Sequence, residues 1–366
     1  MRLLILSPNW LGDVVMHTPL LSFLHEHRDA VAAATGRELV LHLGIRSAWA
    51  DLFRRDSRVD EVMVIERDGR QRGLAGTFRL ASRLRRGEYD AVLVAPPSLR
   101  TGAASWLARI PCRVGYRSDG RGLFLSAGLP VPPRGSMHYA QEMIRLGDVW
   151  LQTLGLPAAA CEAGTWPAAL PGCDILPAAD LTDGPAVWAL ALGNTFGQAK
   201  TWPVARVGDF LELAVGRAGV RVVLLGDEAA QPVAAGLRPR FDRGWAEEPR
   251  AGATILDLTG RTNLTEAASV LKASAAFIGN DSGLMHLAAA LGVPTVGIFG
   301  SSNPAWTAPL GPRALALAAE GFSCRPCYRK TCNQKEFCLD TVQATTVLAA
   351  VQDLVTREPA SREGLR

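Results

Sequence analysis

Hydrophobic positions in this chain fall in short blocks. The segments 3–7, 38–43, 61–65 and 90–95 are brief runs rich in Val, Leu and Ile, each bounded by charge or turn residues. Runs of that length and content predict buried strands. Between them lie helix-length patterns, as at 13–26 and 74–86. Strands that alternate with helices predict a parallel sheet wrapped by helices.

The pattern breaks and then restarts. Between 156 and 185 the chain carries Pro157, Pro167, Pro171, Pro177 and Pro185 with Gly164, Gly172 and Gly184. Proline lacks an amide donor and fixes φ, so this stretch is poor helix and poor central strand. Strands are predicted again at 186–192, 220–226, 255–258, 275–279 and 295–300, with helices at 265–272 and 284–291. A last helix, 345–356, has an apolar face for one half or the other. The expected division is a first domain at 1–170, a Pro/Gly linker at 171–185, a second domain at 186–345, and a C-terminal helix and tail at 346–366. The fold class is α/β: two doubly wound, Rossmann-like domains facing a central cleft, with ligands at the carboxyl ends of the strands.

Composition narrows the classes. With 48% hydrophobic and 20% charged residues, 366 residues suffice for two full cores. A formal charge of +4 is too slight and too diffuse for a nucleic-acid binder. No apolar run reaches the roughly 18 residues of a membrane span, and the N-terminal apolar run meets Pro8 at once. These features predict a cytoplasmic protein. Seven cysteines, an odd number and mostly clustered, do not form a secreted disulfide framework.

Five segments carry candidate chemistry. Asn9-Trp10-Leu11-Gly12-Asp13 follows the first strand; Asp13 is either a reactive carboxylate at the site's rim or an acid favoured by a helix start. The loop Gly193–Pro203 combines glycines, Thr195 and Lys200, a set suited to phosphates or to an ordinary surface loop. Glu228, after Leu225-Gly226-Asp227, is a ribose acceptor or a turn acid. In Asn280-Asp281-Ser282-Gly283-Leu284-Met285-His286 a strand runs through a polar turn into a helix. Ser282, Gly283 and Leu284 there offer free amides to an anion. Asp281 is a sugar ligand or a cap, and His286 a ligand or a packed helix residue. Cys324, Cys327, Cys332 and Cys338 are zinc ligands or packed thiols, expected to be structural and remote from bond making. Absences also matter. There is no Gly-x-Gly-x-x-Gly, no Walker loop, no Asp-x-Asp pair for a catalytic metal and no Gly-x-Ser-x-Gly elbow.

Taken together, these segments resemble the ADP-heptose:lipopolysaccharide heptosyltransferases, inverting, metal-independent enzymes of GT-B fold. Asn-Trp-Leu-Gly-Asp, Phe-Gly-Gln-Ala-Lys-Thr-Trp-Pro and Asn-Asp-Ser-Gly-Leu-Met-His carry the likeness, which runs from Met1 to about Val355. Cys-Arg-Pro-Cys-Tyr-Arg-Lys-Thr-Cys points to the type II branch. Ala191–Thr195 departs from the family's commoner Pro-Gly-Ala-Glu opening.

The resemblance implies an ADP-heptose donor and, as acceptor, the first heptose of the lipopolysaccharide inner core, heptosyl-Kdo2-lipid A. It makes Asp13 the general base. Thr195 and Lys200 become donor-phosphate contacts, with Lys200 also catalytic. Glu228 becomes the ribose contact and Asp281 the contact to the transferred heptose. Ser282, Gly283 and Leu284 become the pyrophosphate site, with His286 beside them. No cofactor and no metal is expected. The acceptor's lipid implies peripheral contact with the inner membrane, for which the basic stretch Arg67, Arg70, Arg72, Arg79, Arg83, Arg85 and Arg86 is either an anion-facing surface or a solvated face. The alternative is another GT-B glycosyltransferase or a sugar-nucleotide epimerase with a different nucleotide sugar.

Overall fold

A computed structural model describes residues 1–66, 73–159, 168–170, 178–241, 244–248 and 254–357. Arg67, Arg70 and Arg72, the 171–177 part of the expected linker, and the tail from 358 lie outside the described residues. The chain divides into two compact units, Met1–Asp174 and Ile175–Arg366.

The first unit holds β1 (Arg2–Leu6), β2 (Val40–Ile45), β3 (Glu61–Val64), β4 (Ala91–Val94), β5 (Cys112–Tyr116) and β6 (Ala127–Leu129). Its helices are α1 (Leu11–Met16), α2 (Thr18–Glu26), α3 (Arg28–Thr35), α4 (Ser47–Ala50), α5 (Gly73–Arg86), α6 (Leu99–Leu107) and α7 (Tyr139–Thr153). The strand order is β3-β2-β1-β4-β5-β6, every pair parallel. The chain winds outward from β1 to β3, then returns to β4 on the other side of β1. The switch therefore lies between the carboxyl ends of β1 and β4. Leu3, Leu4, Ile5 and Leu6 are wholly covered, which is why β1 reads as a continuous apolar run.

The expected helix at 13–26 is two helices, α1 and α2, broken at His17. Pro19 has no N–H for the Val15 carbonyl, and the Thr18 hydroxyl takes that carbonyl instead at 2.7 Å. Helix α7 packs on α2 so closely that a Cβ on Gly147 would stand 2.7 Å from Leu20. An ion pair ties this layer together. Arg58 grips Asp56 side-on, at 2.9 and 2.6 Å, with both side chains buried. The same guanidinium donates to Ser22 at 2.7 Å and to the Ala169 carbonyl at 2.9 Å, while Ala169 N–H donates to the Thr18 hydroxyl.

The second unit holds β7 (Val187–Ala191), β8 (Arg221–Leu225), β9 (Trp245–Ala246), β10 (Ile255–Asp257), β11 (Ala276–Asn280), β12 (Thr295–Phe299) and β13 (Ala314–Ala318). With them go α8 (Val204–Gly216), α9 (Gln231–Leu237), α10 (Leu264–Ala273), α11 (Gly283–Ala290), α12 (Pro304–Thr307) and α13 (Ala344–Thr356). The strand order is β13-β12-β11-β7-β8-β10-β9, again parallel, with the switch between β7 and β11. Helix α13 packs on α8 and on β11–β13 through Val347, Val351 and Leu354. The turn Ala179–Leu181, inside the expected linker, packs on this unit through buried Leu181, and Ala178 N–H donates to the Ser269 carbonyl.

Removing one partner of a buried pair strands the other charge in low dielectric. Asp56→Ala should therefore cost about 3–5 kcal/mol, measured by urea denaturation.

His17 gives a pH signature. Both ring nitrogens are buried without a partner among the described residues, and burial, with some help from Arg58, lowers its pKa from 6.5 to about 3. Between those values the unfolded chain binds a proton that the folded chain refuses. Stability from this group is full above pH 6.5 and is lost as pH falls toward 3. His17→Leu should remove a slope of about 1.4 kcal/mol per pH unit from the urea stability profile below that upper value.

Candidate active site

The second unit's site is built at the switch between β7 and β11, where a doubly wound sheet opens a crevice. Two asparagines shape it. Asn194 Oδ1 accepts from the Phe196 and Gly197 amides at 3.0 and 2.8 Å, and its Nδ2 donates to the Thr201 hydroxyl at 2.8 Å. Asn280, the last residue of β11, donates to the Gly193 carbonyl at 3.0 Å and accepts from Trp202 N–H at 2.8 Å. The loop 193–202 is thus pinned at its middle and at both ends.

That loop delivers Lys200 to Asp281. Lys200 Nζ lies 2.5 Å from Asp281 Oδ2, and the ammonium also stands 5.0 Å from the centre of the Phe196 ring. His286 Nε2 approaches the other carboxylate oxygen at 3.8 Å, too far for a hydrogen bond, and its Nδ1 is buried without a partner among the described residues. Burial pushes the Asp281 carboxyl upward, but the His286 imidazole and the Lys200 ammonium outweigh it and hold it down to about 2. Asp281 is therefore an anion across the physiological range and does not cap α11. The cap is Ser282, in extended conformation, whose side chain makes no capping bond. The first-turn amides of α11, from Gly283 and Leu284, lack that side-chain partner and lie directly after the charged pair.

The predicted residues do not all converge. Lys200, Asp281 and His286 form one cluster, with Ser282, Gly283 and Leu284 adjoining. Thr195 is exposed on the pinned loop. Glu228 is exposed after β8, the strand next to β7; the two loops meet where Ala230 lies 3.5 Å from the Cβ position of Gly193. His286 is buried, yet it faces the carboxylate rather than an inert apolar wall.

In the first unit Asp13 is the third residue of α1, after the carboxyl end of β1. Trp10 occupies the cap position with no side-chain capping bond and is exposed. Asp13 is half-buried. Tyr139, the first residue of α7, is its neighbour: burial first, then the Asp13 and Glu142 carboxylates, push the phenol well above its ordinary range. No sequence pattern marks Tyr139, which enters the site only because α7 packs against α1.

The cysteine segment corrects the expectation of remoteness. Cys324, Cys327, Cys332 and Cys338 line one pocket with Ala199 and Ser301. All four are free thiols, and burial pushes Cys338 up. Among the described residues no group of three or more His, Cys, Asp or Glu is disposed to hold a metal ion. The segment lies directly against the lysine loop. Ala199 N–H donates to the Lys330 carbonyl at 2.9 Å, and Ser301 N–H to the Ala199 carbonyl at 3.3 Å.

Solved structures with the same architecture include the Escherichia coli ADP-heptose lipopolysaccharide heptosyltransferase II. It has TM-score 0.72 and 22% identity, covering 97% of this chain and 98% of that one. A glycosyltransferase family 9 protein of Veillonella parvula has TM-score 0.75 and 20% identity, covering 97% of both chains. Two doubly wound parallel units of this kind are the GT-B fold of these structures. The chain belongs to glycosyltransferase family 9, the heptosyltransferases, whose pattern its residues 77–337 match. Relatives in sequence include lipopolysaccharide heptosyltransferase 2 of Salmonella typhimurium, 27% identical over 331 residues, 87% of this chain and 88% of that protein. The Escherichia coli K12 protein of the same name is 26% identical over the same shares.

Gly197 is the loop's tightest point. Its φ is +147°, and a Cβ there would lie 2.5 Å from the Lys330 carbonyl oxygen. Backbone strain of this kind costs about 1–3 kcal/mol. Gly197→Ala should therefore cut transferase activity about tenfold or more, remove hydrogen-exchange protection at the Ala199 amide and lower Tm by roughly 2–4 °C for each kcal/mol of that strain.

Proposed function

We propose that this protein transfers L-glycero-D-manno-heptose from ADP-heptose to the first heptose of the lipopolysaccharide inner core, heptosyl-Kdo2-lipid A, with inversion. The observation that carries the reading is the pair of half-buried Lys200 and buried Asp281 beside the amide-rich start of α11, in a chain of the heptosyltransferase family. A lysine whose partner is a carboxylate, next to free amides, is a phosphate site whose charge is balanced when empty. The names of the relatives carry ADP-heptose and lipopolysaccharide, and the first heptose as acceptor is what the type II resemblance implies.

The roles follow from the chemistry. The acceptor hydroxyl attacks the anomeric carbon as the bond to ADP breaks, so one base suffices and no enzyme nucleophile is required. Asp13 takes the proton. Lys200 and the amides of Ser282, Gly283 and Leu284 bear the charge that grows on the diphosphate, a task a divalent metal performs elsewhere. Asp281 orients Lys200 and accepts from heptose hydroxyls, with His286 behind it. Thr195 adds a phosphate contact, and exposed Glu228 accepts from the ribose. The enzyme works in the cytoplasm, in peripheral contact with the inner membrane that carries its acceptor.

Incubation with ADP-heptose and heptosyl-Kdo2-lipid A, followed by mass spectrometry, should show the acceptor gaining one heptose residue. No gain with active donor and acceptor controls overturns the assignment. Asp13→Asn then tests the base. Asp13 is not the cap of α1, so asparagine there breaks no cap, and the charge it removes is worth about 0.3–1 kcal/mol to the helix dipole. Turnover should fall about 10²–10⁴-fold while ADP-heptose affinity and Tm stay nearly unchanged. Retained turnover would leave Asp13 a helix residue only.

A further inference from the structure

Five large apolar side chains stand in the open on one face of the first unit. Leu74 and Phe78 lie on α5, Leu99 and Trp106 on α6, and Leu123 on the 3-10 turn Arg121–Phe124; Leu74 and Leu123 are 80% and 90% exposed. The topology puts them together. Helices α5 and α6 are the β3-to-β4 and β4-to-β5 crossovers, which step the same way along the sheet, so right-handed connections place both on one side. They lie side by side. Arg100 at the start of α6 donates to the Gly76 carbonyl at 3.4 Å, and Arg85 near the end of α5 donates to the Leu107 carbonyl at 2.5 Å. The turn flanks α6, with the Trp106 and Phe124 rings 5.8 Å apart.

Along α5 the spacing is regular. Leu74, Phe78, Ser82 and Arg85 share the outward stripe, while Leu80, Ala81 and Leu84 face the core. The helix thus has an apolar inner face and a second apolar patch, at the start of its outer face, that packing does not explain.

Charge says what covers the patch. Residues 73–126 contain nine arginines and no lysine against Glu88, Asp90 and Asp119, and Asp90 is taken by Arg37. Not all nine face outward: Arg121 is buried and Arg113 donates to the Phe124, Ile110 and Pro111 carbonyls, so the charge of this face comes from the arginines of α5. Arg79, Arg85 and Arg86 are exposed on α5 beside the apolar stripe. A symmetric dimer through this face would set arginine against arginine. A surface that offers anionic phosphates above a shallow apolar layer matches both components.

We propose that the α5–α6 face, with Leu123, docks the first unit onto an anionic phospholipid surface. Phe78, Trp106 and the leucines enter the headgroup boundary, and the arginines engage lipid phosphates. The proposal rests on the reading of a lipid-anchored acceptor for its purpose, though not for its geometry. No helix among the described residues is long and apolar enough to cross a membrane, so attachment of this kind is interfacial.

The test uses the full chain and vesicles of phosphatidylethanolamine and phosphatidylglycerol that contain no lipopolysaccharide, with phosphatidylcholine vesicles as reference. The protein should co-sediment with the anionic vesicles only, and less so in high salt. The triple variant Phe78→Ser, Leu99→Ser, Leu123→Ser should bind at least about a hundredfold more weakly, since each such side chain is worth roughly tenfold or more in transfer. Arg86→Gln should lose about fivefold. Leu315→Ser, an exposed leucine of the second unit, should change nothing. The triple variant should keep wild-type kcat on delipidated heptosyl-Kdo acceptor and lose rate on vesicle-embedded acceptor. No binding to anionic vesicles, or equal binding by the triple variant, overturns the proposal. So does wild-type self-association in sedimentation velocity that the triple variant abolishes. Vesicle binding without any heptose transfer would instead leave the surface standing and remove the proposed reaction.

Discussion

A lysine ammonium and an aspartate carboxylate held 2.5 Å apart, with the carboxylate 5% exposed, cost desolvation energy that their mutual attraction does not securely return. Lys200 and Asp281 come from loops 81 residues apart in sequence, so each must be placed independently. Much of the second unit's local structure serves that meeting. Asn280 ends β11 one residue before Asp281 and holds both Gly193 and Trp202, the two ends of the lysine loop. Trp202 is itself anchored in the core and donates through its indole to the Val342 carbonyl at the approach to α13. The pair is thus fixed to β11 on one side and to the C-terminal helix on the other.

The geometry also suits the proposed anion site. A bare lysine at a helix N-terminus would face the positive end of the dipole and would be repelled by it. Asp281 neutralises that field while leaving the α11 amides free. Burial pushes the carboxyl upward, and His286 and Lys200 together hold it down. A buried histidine on an apolar helix thereby acquires an electrostatic part, where its position in sequence left packing and ligand binding both open.

The cysteine segment holds the other side of the same loop. Its Lys330 carbonyl receives the Ala199 amide and crowds Gly197, while Arg325 ties it to the Phe299 and Gly300 carbonyls at the end of β12. Its contribution to the site runs through backbone contacts, and the thiols line the pocket behind them.

Some of this was legible in the chain alone. Buried parallel strands are continuous apolar runs, so β1, β7, β11 and β12 could be found within a residue or two, and the doubly wound class followed from their alternation with helices. Asp281 and the α11 start were visible because strand, polar turn and apolar helix are adjacent in sequence. Other features depended on tertiary structure. Short strands such as β6 and β9 are stabilised by neighbours and carry little pattern of their own. The break at His17 turned on one proline and on the hydroxyl that took over its hydrogen bond. Tyr139 reached Asp13 by helix packing across more than a hundred residues, and the cysteine segment reached Lys200 in the same way. A one-dimensional pattern records which faces must be buried. Which charged group meets which is decided only when the faces are packed, because Coulomb and hydrogen-bond terms depend on distances of a few ångströms that sequence separation does not contain.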